Sequence, residues 1–451
     1  MNKALDLREE IERMPLGRAH WFVVAALALA TLFDGYDVFV PAYVIPYAMK
    51  SWALQPSQAG LLVSSGLIGF MIGSLVCGPI ADRIGRKPTL VGALAFAAVF
   101  NYATAEWADS YDRFLVLRAL TGVGLGMILP LCMTLLNEMA PRRTANVLIG
   151  WVMAGWSLGG VMAAVAGLVL APQFGWPSLF MAGAIAAPVG AAIALGLPES
   201  PRFLGLRQRQ QDVRTAMIRL APARKAEYAS TDFTINEDTA HRGSFVRLLA
   251  PNVRGSTGIV WVCSALSLFS IYGLSSWTPQ IMLQRGETFG TSFTFGALLQ
   301  FMAILGGLGC GWLADRSGRQ RTLWVIWLFG AAAVAGLALV SSFATNLMFI
   351  AIAGFCVMGA QPVLNNLTAA LYETGVRSTG VGAQLGVGRL GGILGPYVGG
   401  WLQQLFPGSL ALFLFMAGAL AMSALAISRI RRITPADGAL APIPENSAVT
   451  P

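Results

Sequence analysis

The sequence contains few charged residues and almost no histidine. Of its 451 residues only 12% are charged, about half the share typical of a soluble globular domain. The two histidines, His20 and His241, lie far apart in the chain, which argues against a histidine proton relay or a histidine metal site. Together with a hydrophobic content of 55%, this scarcity of charge excludes an ordinary soluble protein.

The five cysteines form no pattern typical of a metal site or a disulfide framework. Each lies alone in a different apolar segment, so buried and chemically inert thiols are the better interpretation. The sequence also has no nucleophile–base constellation, phosphate-binding loop or metal-ligand motif. We therefore predict neither an enzyme nor a bound cofactor or metal.

Apolar runs of about twenty residues recur from end to end, the length that a helix needs to cross a bilayer. The first run begins at Trp21, after several acidic residues, and is too long for the core of a signal peptide. Twelve membrane helices are predicted, over residues 21–48, 57–81, 88–107, 113–138, 144–170, 177–197, 256–284, 291–314, 322–342, 346–371, 379–405 and 409–430.

One long polar segment divides these helices into two sets of six. The predicted organisation is a cytoplasmic N-terminal tail (1–20), a six-helix bundle (21–197), a cytoplasmic linker (198–255), a second six-helix bundle (256–430) and a cytoplasmic C-terminal tail (431–451). A solvated connector is the favoured interpretation of the linker, and short amphipathic helices, for example around 207–220, are the alternative.

The net charge of +9 reflects membrane topology rather than a nucleic-acid surface. With both termini in the cytoplasm, all but five of the 31 Lys and Arg residues lie on the cytoplasmic side. The exceptions are Lys50, Arg113 and Arg285 outside, and Arg118 and Arg389 within helices. This positive-inside bias fixes the orientation of a multi-pass membrane protein and argues against a nucleic-acid partner. We expect the protein to lie in the bacterial inner membrane and to function as a monomer.

The two halves repeat each other in sequence. Segment 78–87, GPIADRIGRK, reappears as GWLADRSGRQ in the second half, and EMAPR, which begins at Glu138, reappears as ETGVR at nearly the same offset. LFDGYD in the first predicted helix has a weaker counterpart, LFSIYG, in the seventh. Parallel repeats of six helices predict two bundles that rock against each other around a central site.

These residues resemble the signatures of the major facilitator superfamily. GPIADRIGRK after the second helix is its best-known motif, RALTGVGLG from Arg118 is similar to a second, and PESPR at 198–202 to a third. The resemblance covers all but the two tails. It implies an all-α integral membrane protein with the major facilitator fold, in which twelve transmembrane helices form two pseudo-symmetric six-helix bundles.

Charged residues cluster at the cytoplasmic ends of the helices in both halves. Such clusters can bridge the bundles when the cytoplasmic side closes and separate when it opens. The alternatives are that they only fix topology and cap helices, or that the acid and base at four-residue spacing form local pairs. The candidates for gating are Asp82, Arg83, Arg86, Glu138, Arg142, Asp315, Arg316, Arg319, Glu373 and Arg377.

Ionisable residues within the bilayer are costly and usually functional. At a rise of about 1.5 Å per residue, Asp34 and Asp37 lie roughly 20 and 24 Å above the cytoplasmic edge. Arg118 lies about 8 Å below the outer edge, at the same height in a core of about 30 Å. An Asp–Arg pair at this depth can couple proton binding to conformation, because water access and separation of the pair decide whether the proton binds. A purely structural buried pair is the alternative.

Arg389 is a cation near mid-membrane, about 15 Å from the cytoplasmic edge. The surrounding sequence, GVGRLGGILGP, is rich in glycine, which leaves room beside the guanidinium. A substrate carboxylate would fit, because the guanidinium fork binds carboxylates bidentately. A bond to a carbonyl or to an aspartate of the first helix is the alternative.

DGYD in the first helix together with the glycine-rich segment around Arg389 resembles the aromatic acid:proton symporter family. The resemblance implies proton-driven uptake of small aromatic carboxylates such as benzoate or hydroxybenzoates, with proton coupling at Asp34 and Asp37 and gating at Asp82 and Asp315. Further predicted substrate contacts are aromatic and amide side chains near mid-membrane: Tyr36, Tyr272, Asn365 and Asn366.

Other functions compete with this interpretation. A proton-coupled sugar, polyol or other organic-anion symporter is the main alternative, although a neutral sugar needs no buried cation. Drug export is disfavoured because the glycine-rich fifth helix lacks the proline that exporters usually have there. A non-transporting sensor on the same fold is disfavoured by the intact buried charges.

Overall fold

A computed structural model describes residues 5–235, 245–251, 253–340, 342–372 and 376–430, without the side chains of Arg142, Asn146, Val246 and Ser378. Long helices dominate it. The first half contains α1 (Leu7–Arg13), α2 (Arg18–Ser51), α3 (Pro56–Ile84), α4 (Arg86–Trp107), α5 (Tyr111–Met139), α6 (Arg142–Val169), α7 (Ala171–Phe174), α8 (Pro177–Gly183) and α9 (Ala186–Gly196).

The linker and the second half continue the helical pattern. The linker contains α10 (Pro201–Leu206), α11 (Gln210–Leu220), a 3-10 turn (Pro222–Arg224), α12 (Lys225–Tyr228) and a second 3-10 turn (Phe245–Leu249). The second half contains α13 (Arg254–Gln284), α14 (Phe289–Ser317), α15 (Arg319–Leu339), α16 (Phe343–Ala353), a π-helical turn (Gly354–Met358), α17 (Gln361–Leu371), α18 (Arg377–Leu405) and α19 (Leu410–Ser428).

The described residues include eleven helical segments that are long and apolar enough to cross a membrane. The glycine-rich α18 is not among them, because its many glycines, Gln384 and Arg389 lower its hydropathy. It nevertheless has 29 residues and packs between membrane helices. Two predicted helices are interrupted, 177–197 after Gly183 and 346–371 by the π-helical turn. The predicted twelve-helix architecture is confirmed.

The halves meet most closely where α3 crosses α18. A β-carbon on Gly60 would lie 2.4 Å from the carbonyl oxygen of Pro396, and one on Gly400 would lie 2.2 Å from that of Pro56. These contacts lie at the start of α3 and the end of α18, on the side we call the far face. The opposite side, where α3 ends and the linker lies, we call the linker face. The far face is therefore closed in this structure.

Among the described residues, no ion pair holds the linker face closed. Arg86 binds Asp82 and Glu138, all within the first half, and among the described residues no ion pair joins the two halves. The bundles are thus in close backbone contact at the far face and are not joined by ion pairs between described residues at the linker face.

Part of the linker folds against the N-terminal segment. A parallel strand pair joins β1 (Leu5–Asp6) to β2 (Phe233–Thr234), and the apolar side chains of α1 and α11 are buried together. Glu10 accepts a hydrogen bond from the Tyr228 hydroxyl at 2.8 Å and pairs with Arg224. The favoured solvated connector is therefore wrong for residues 201–235, and the alternative holds there, because a helix at Gln210–Leu220 buries one apolar face.

Candidate functional site

The first cluster of buried charges joins Asp37 on α2 to Arg118 on α5. The Arg118 Nη1 donates to the Asp37 Oδ1 at 3.1 Å, and its Nη2 donates to the Asp37 carbonyl oxygen at 3.1 Å. Asn101 on α4 completes the cluster, because its amide nitrogen donates to the second Asp37 carboxylate oxygen and its amide oxygen accepts from Arg118. The three side chains are almost fully buried. The negative charge of Asp37 is therefore fully compensated.

Glycines allow the helices to approach closely enough for this cluster to form. A β-carbon on Gly122 would lie 2.0 Å from the carbonyl oxygen of Gly66, so α5 and α3 touch through their backbones. A β-carbon on Gly35, between the two aspartates, would likewise lie 2.0 Å from the carbonyl oxygen of Trp156 on α6. The glycines of RALTGVGLG and DGYD thus position the charges.

Asp34 has a different environment. Its side chain is fully buried, and neither carboxylate oxygen has a hydrogen-bond partner among the described residues. The positive charge of Arg389, which belongs to the other half, acts on it electrostatically. Because an uncompensated carboxylate is costly in such surroundings, Asp34 is suited to exist as the neutral acid or to be neutralised from outside its own bundle.

Arg389 lies at the interface between the halves and is partly exposed. Its Nη1 donates to the Tyr272 hydroxyl of α13 at 2.9 Å. The guanidinium carbon lies 4.2 Å from the ring centroid of Phe70, which belongs to α3 in the first half. Among the described residues Tyr272 is its only hydrogen-bond partner, so most of the guanidinium donors are free to bind an anion.

Further aromatic side chains pack next to Tyr272, the hydrogen-bond partner of this cation. Phe39 on α2 and Tyr272 on α13 lie nearly parallel, inclined by 21° with centroids 6.5 Å apart. Trp156 on α6 packs with its ring edge-on to Phe39, at a centroid distance of 5.1 Å. A free guanidinium edge beside aromatic faces from both halves is suited to a small planar anion.

The other predicted substrate contacts lie in different places. The Tyr36 hydroxyl donates to the Leu179 carbonyl oxygen at 2.8 Å, inside the first half, and the structure does not bring it to Arg389. Asn365 accepts weak hydrogen bonds from Gln361 at 3.5 Å and Gln384 at 3.3 Å. Asn366 is exposed, with no hydrogen bond among the described residues. Of the four aromatic and amide residues predicted to contact substrate, only Tyr272 is hydrogen-bonded to Arg389.

The gating candidates of the first half form a connected group. Arg86 pairs with Asp82 at 2.9 Å and with Glu138 at 3.3 Å, so Glu138 reaches the loop after α3. Arg83 is exposed. The side chain of Arg142 lies outside the part of the chain that the structure describes, so its predicted pairing with Glu138 stays a prediction.

The gating candidates of the second half are exposed and separate from those of the first. Asp315, Arg319 and Arg377 are exposed, and the Arg316 guanidinium stacks 4.0 Å from the Trp312 ring centroid. Glu373 lies outside the described residues. Between the candidates whose side chains the structure describes, the predicted bridge is therefore not formed in this conformation.

Glu199 of PESPR fixes the loop after α3. Its carboxylate accepts hydrogen bonds from the backbone N–H groups of Arg86 at 3.1 Å and Lys87 at 3.2 Å, the first residues of α4. Gly85 has a φ of 109°, and a β-carbon there would lie 2.3 Å from the Glu199 Oε2. Gly318, at the equivalent turn of the second half, has a φ of 86°, but no described atom outside the turn lies within 4 Å of the position that its β-carbon would take.

Replacing these two glycines gives a matched test of this contact. Both alanines must adopt an extended conformation with positive φ that is almost exclusive to glycine, which costs about 1–3 kcal/mol. Only Gly85→Ala also displaces Glu199, which adds about 1–3 kcal/mol of overpacking. We expect Gly85→Ala to lower the melting temperature of the purified protein clearly more than Gly318→Ala. Equal losses would show that Glu199 does not hold the loop.

Sequence reasoning missed Asn101, Phe39 and Phe70. Asn101 is a single amide in an otherwise apolar helix, a signal that could have been noticed. The phenylalanines carry no such signal among 24 in the chain. No group of three or more His, Cys, Asp or Glu side chains in the described part of the chain could hold a metal ion, and the five cysteines are free and buried.

Comparison with known proteins places this site in a family. Residues 27–396 match the model of the Major Facilitator Superfamily. The chain is 35% identical to a 4-hydroxybenzoate transporter of Pseudomonas putida, over 90% of this chain and 91% of that protein. It is 33% identical to a gallate transporter of the same organism, over 96% and 97% of the two chains.

A solved structure shows the same fold. The crystal structure of a D-xylose-proton symporter superimposes with a TM-score of 0.70 and 18% identity, covering 91% of this chain and 98% of that one. The superfamily consists of transporters, not enzymes. The resemblance to the aromatic acid:proton symporters is confirmed by the related transporters, and the chain belongs to the Major Facilitator Superfamily.

Proposed function

We propose that this protein takes up a small aromatic carboxylate together with protons by alternating access. The observation that carries the proposal is Arg389, a partly exposed mid-membrane cation whose donors are mostly free and which lies against aromatic rings of both halves. The relatives named for 4-hydroxybenzoate and gallate support it, because both compounds are benzoates with ring hydroxyls.

The proposed location follows from charge distribution. Arg and Lys residues concentrate on the linker face, so this face would be cytoplasmic and the far face periplasmic in the bacterial inner membrane. Both termini would then lie in the cytoplasm. We propose that the monomer is the functional unit, because each chain contains both halves of the site.

The two aspartates have separate roles in this proposal. Asp37 is held by Arg118 and Asn101 and serves to position α2 against α4 and α5. Asp34 takes the proton. While Asp34 is ionised, it attracts Arg389 and competes with a substrate carboxylate. Once Asp34 is protonated, Arg389 carries an unneutralised charge that an incoming carboxylate compensates.

Electroneutral coupling follows from this exchange. One proton on Asp34 and one carboxylate on Arg389 enter together, so the loaded site carries the same net charge as the empty one. After the site opens to the linker face, loss of the proton to the cytoplasm restores the attraction of Asp34 for Arg389 and expels the anion. A membrane potential would then have little effect on the rate, since moving an uncompensated charge costs about 2.3 kcal/mol per 100 mV.

Gating is proposed to use different contacts on the two faces. The backbone contacts of Gly60 and Gly400 close the far face, as in this structure. When the linker face closes, the exposed loops at 82–87 and 315–321 would meet and exchange ion pairs, with Asp82 and Asp315 as the acids.

A methyl group at Gly60 tests the far-face closure. Gly60→Ala should oppose closure by about 1–3 kcal/mol, because the Pro396 carbonyl oxygen is only 2.4 Å from the new carbon. Gly78→Ala on the same helix is the matched control, since nothing lies within 4 Å of it. Spin-label distances across the far face should lengthen in the first variant only. Unchanged distances in both would remove this crossing from the gate.

Uptake into proteoliposomes tests the proposed function. Labelled 4-hydroxybenzoate should accumulate only with an inward proton gradient, and collapse of the gradient should release it. A sugar symporter is the second candidate, but the likeness to the xylose symporter shows only the fold. Proton-driven accumulation of xylose without accumulation of the aromatic acid would favour that candidate instead.

A further inference from the structure

The rings of Phe39 and Tyr272 face each other across the interface between the halves. Phe39 belongs to α2 of the first half, and Tyr272 belongs to α13 of the second. Their planes are inclined by only 21°, and their centroids lie 6.5 Å apart. Among the described residues Phe39 is the only ring in contact with Tyr272, so this contact joins the two bundles.

Both rings are fixed by their surroundings. Trp156 packs with its ring edge-on to Phe39, and a β-carbon on Gly160 would lie 2.9 Å from the Phe39 Cδ2. A β-carbon on Gly392 would lie 2.8 Å from the Tyr272 ring. The Tyr272 hydroxyl also accepts a hydrogen bond from Arg389. These contacts leave each ring little freedom to rotate.

We propose that Phe39 and Tyr272 form an aromatic clamp that holds the substrate ring between the two halves while Arg389 binds the carboxylate. A planar ring packs at about 3.5 Å from each neighbouring face, so insertion needs roughly 7 Å between the flanking rings. The two rings are already nearly parallel and belong to different halves, so parting of the halves would open a gap between them for one ring. The clamp rests on the proposed function and specifies how that site selects its substrate.

The position of the cation fits this arrangement. Arg389 contacts the edge of Tyr272 through the hydroxyl, so the carboxylate of a ring held against Tyr272 would lie beside the guanidinium. Because the clamp takes one ring from each half, a bound aromatic ring bridges the bundles. A saturated ring of the same size is puckered and thicker, and it offers no aromatic face for stacking.

The test compares two acids of similar size, benzoate and cyclohexanecarboxylate. Both present a carboxylate to Arg389, but only benzoate is planar. Their dissociation constants would be measured by calorimetry on the purified full-length protein and on Phe39→Leu. We expect the wild type to prefer benzoate and Phe39→Leu to reduce that preference by roughly three- to tenfold, mainly through weaker benzoate binding. Phe39→Tyr keeps a ring and should keep the preference.

Two further variants distinguish ring stacking in the clamp from the hydrogen bond to Arg389 and from ring packing elsewhere between the halves. Tyr272→Phe removes the hydroxyl that contacts Arg389 but keeps the ring, so it should weaken both acids equally. Phe293→Leu is the matched control, since Phe293 also packs against a ring of the other half, Tyr43, at a centroid distance of 5.1 Å but away from Arg389. It should leave the preference for benzoate unchanged.

The outcomes distinguish the clamp from the function on which it rests. If Phe39→Leu binds both acids with the wild-type preference, or loses affinity for both equally, the pair is a packing contact and the clamp is overturned while the proposed function stands. If the folded wild-type protein binds neither acid, the proposed function fails and the clamp fails with it.

Discussion

Replacing Arg389 with alanine is expected to lower the affinity for aromatic carboxylates by about a hundredfold or more. Hydrogen bonds to charged groups contribute about 1.5–3 kcal/mol each, and a bidentate carboxylate would lose two of them. Arg389 has only Tyr272 as a hydrogen-bond partner among the described residues, so its removal leaves one hydroxyl without a partner, removes the contact with Phe70 and favours the neutral form of Asp34, none of which requires the helices to repack. The loss should therefore appear in binding rather than in folding.

Two controls accompany this variant: one removes a positive charge elsewhere in the protein, and the other removes the negative charge of the ligand. Arg254→Ala removes an exposed arginine at the start of α13, also in the second half, and should bind the acid as the wild type does. Benzamide has the same ring without a negative charge, and Arg389→Ala should change its weak binding little. If the acid and the amide lose affinity equally, Arg389 has a structural role and the substrate carboxylate binds elsewhere.

Neutralising Asp34 is expected to abolish proton-driven accumulation while leaving exchange of substrate across the membrane. Asparagine resembles the protonated acid, so Asp34→Asn should bind substrate in both orientations but should not respond to a proton gradient. In proteoliposomes, accumulation of labelled 4-hydroxybenzoate should fall to the level of empty vesicles. Counterflow driven by unlabelled substrate should continue.

Asp37→Asn should behave differently, although the two aspartates are three residues apart. It leaves the fully buried Arg118 without its anionic partner, and breaking one side of a buried ion pair typically costs about 3–5 kcal/mol. We expect a low yield of folded protein and a lowered melting temperature. If Asp37→Asn is instead stable and shows the uncoupled exchange predicted for Asp34→Asn, the assignment of the two roles is wrong.

Much of the architecture could be predicted because hydropathy and internal repetition are properties of the sequence alone. The approximate helix ranges follow from apolar length, and the pairing of Asp37 with Arg118 follows from their equal depth. Depth does not specify which neighbour lies beside a residue. Asn101, from the adjacent α4, and the separation of Asp34 from the cluster depend on helix rotation and packing, which a depth calculation does not contain.

Contacts between the halves were the least predictable part of the site. Phe39 and Phe70 are ordinary apolar residues of their helices, and their importance comes from Tyr272 and Arg389 of the other half. The linker was misjudged for a related reason. Its apolar residues are too few for a core by themselves, and only the structure shows that the N-terminal segment lies against it through the β1–β2 strand pair and Glu10.

The halves repeat in sequence but differ in how their loops are held. In the first half, Glu199 and Glu138 fix the segment from Gly85 to Lys87. In the second half, Gln320 reaches only backbone oxygens near the end of α19, and Asp315 stays exposed. This asymmetry suits a mechanism in which the loop of the first half stays in place and the loop of the second half moves to contact it.

The most direct test of the central claim measures proton movement that depends on substrate. Proteoliposomes containing a pH-sensitive dye and no imposed gradient would receive external 4-hydroxybenzoate, with empty vesicles and Arg389→Ala as controls for passive entry of the undissociated acid. The account predicts acidification of the lumen faster than in either control and absent in Asp34→Asn, with about one proton entering per labelled anion. Uptake of the anion at the wild-type rate without acidification beyond the controls would contradict it.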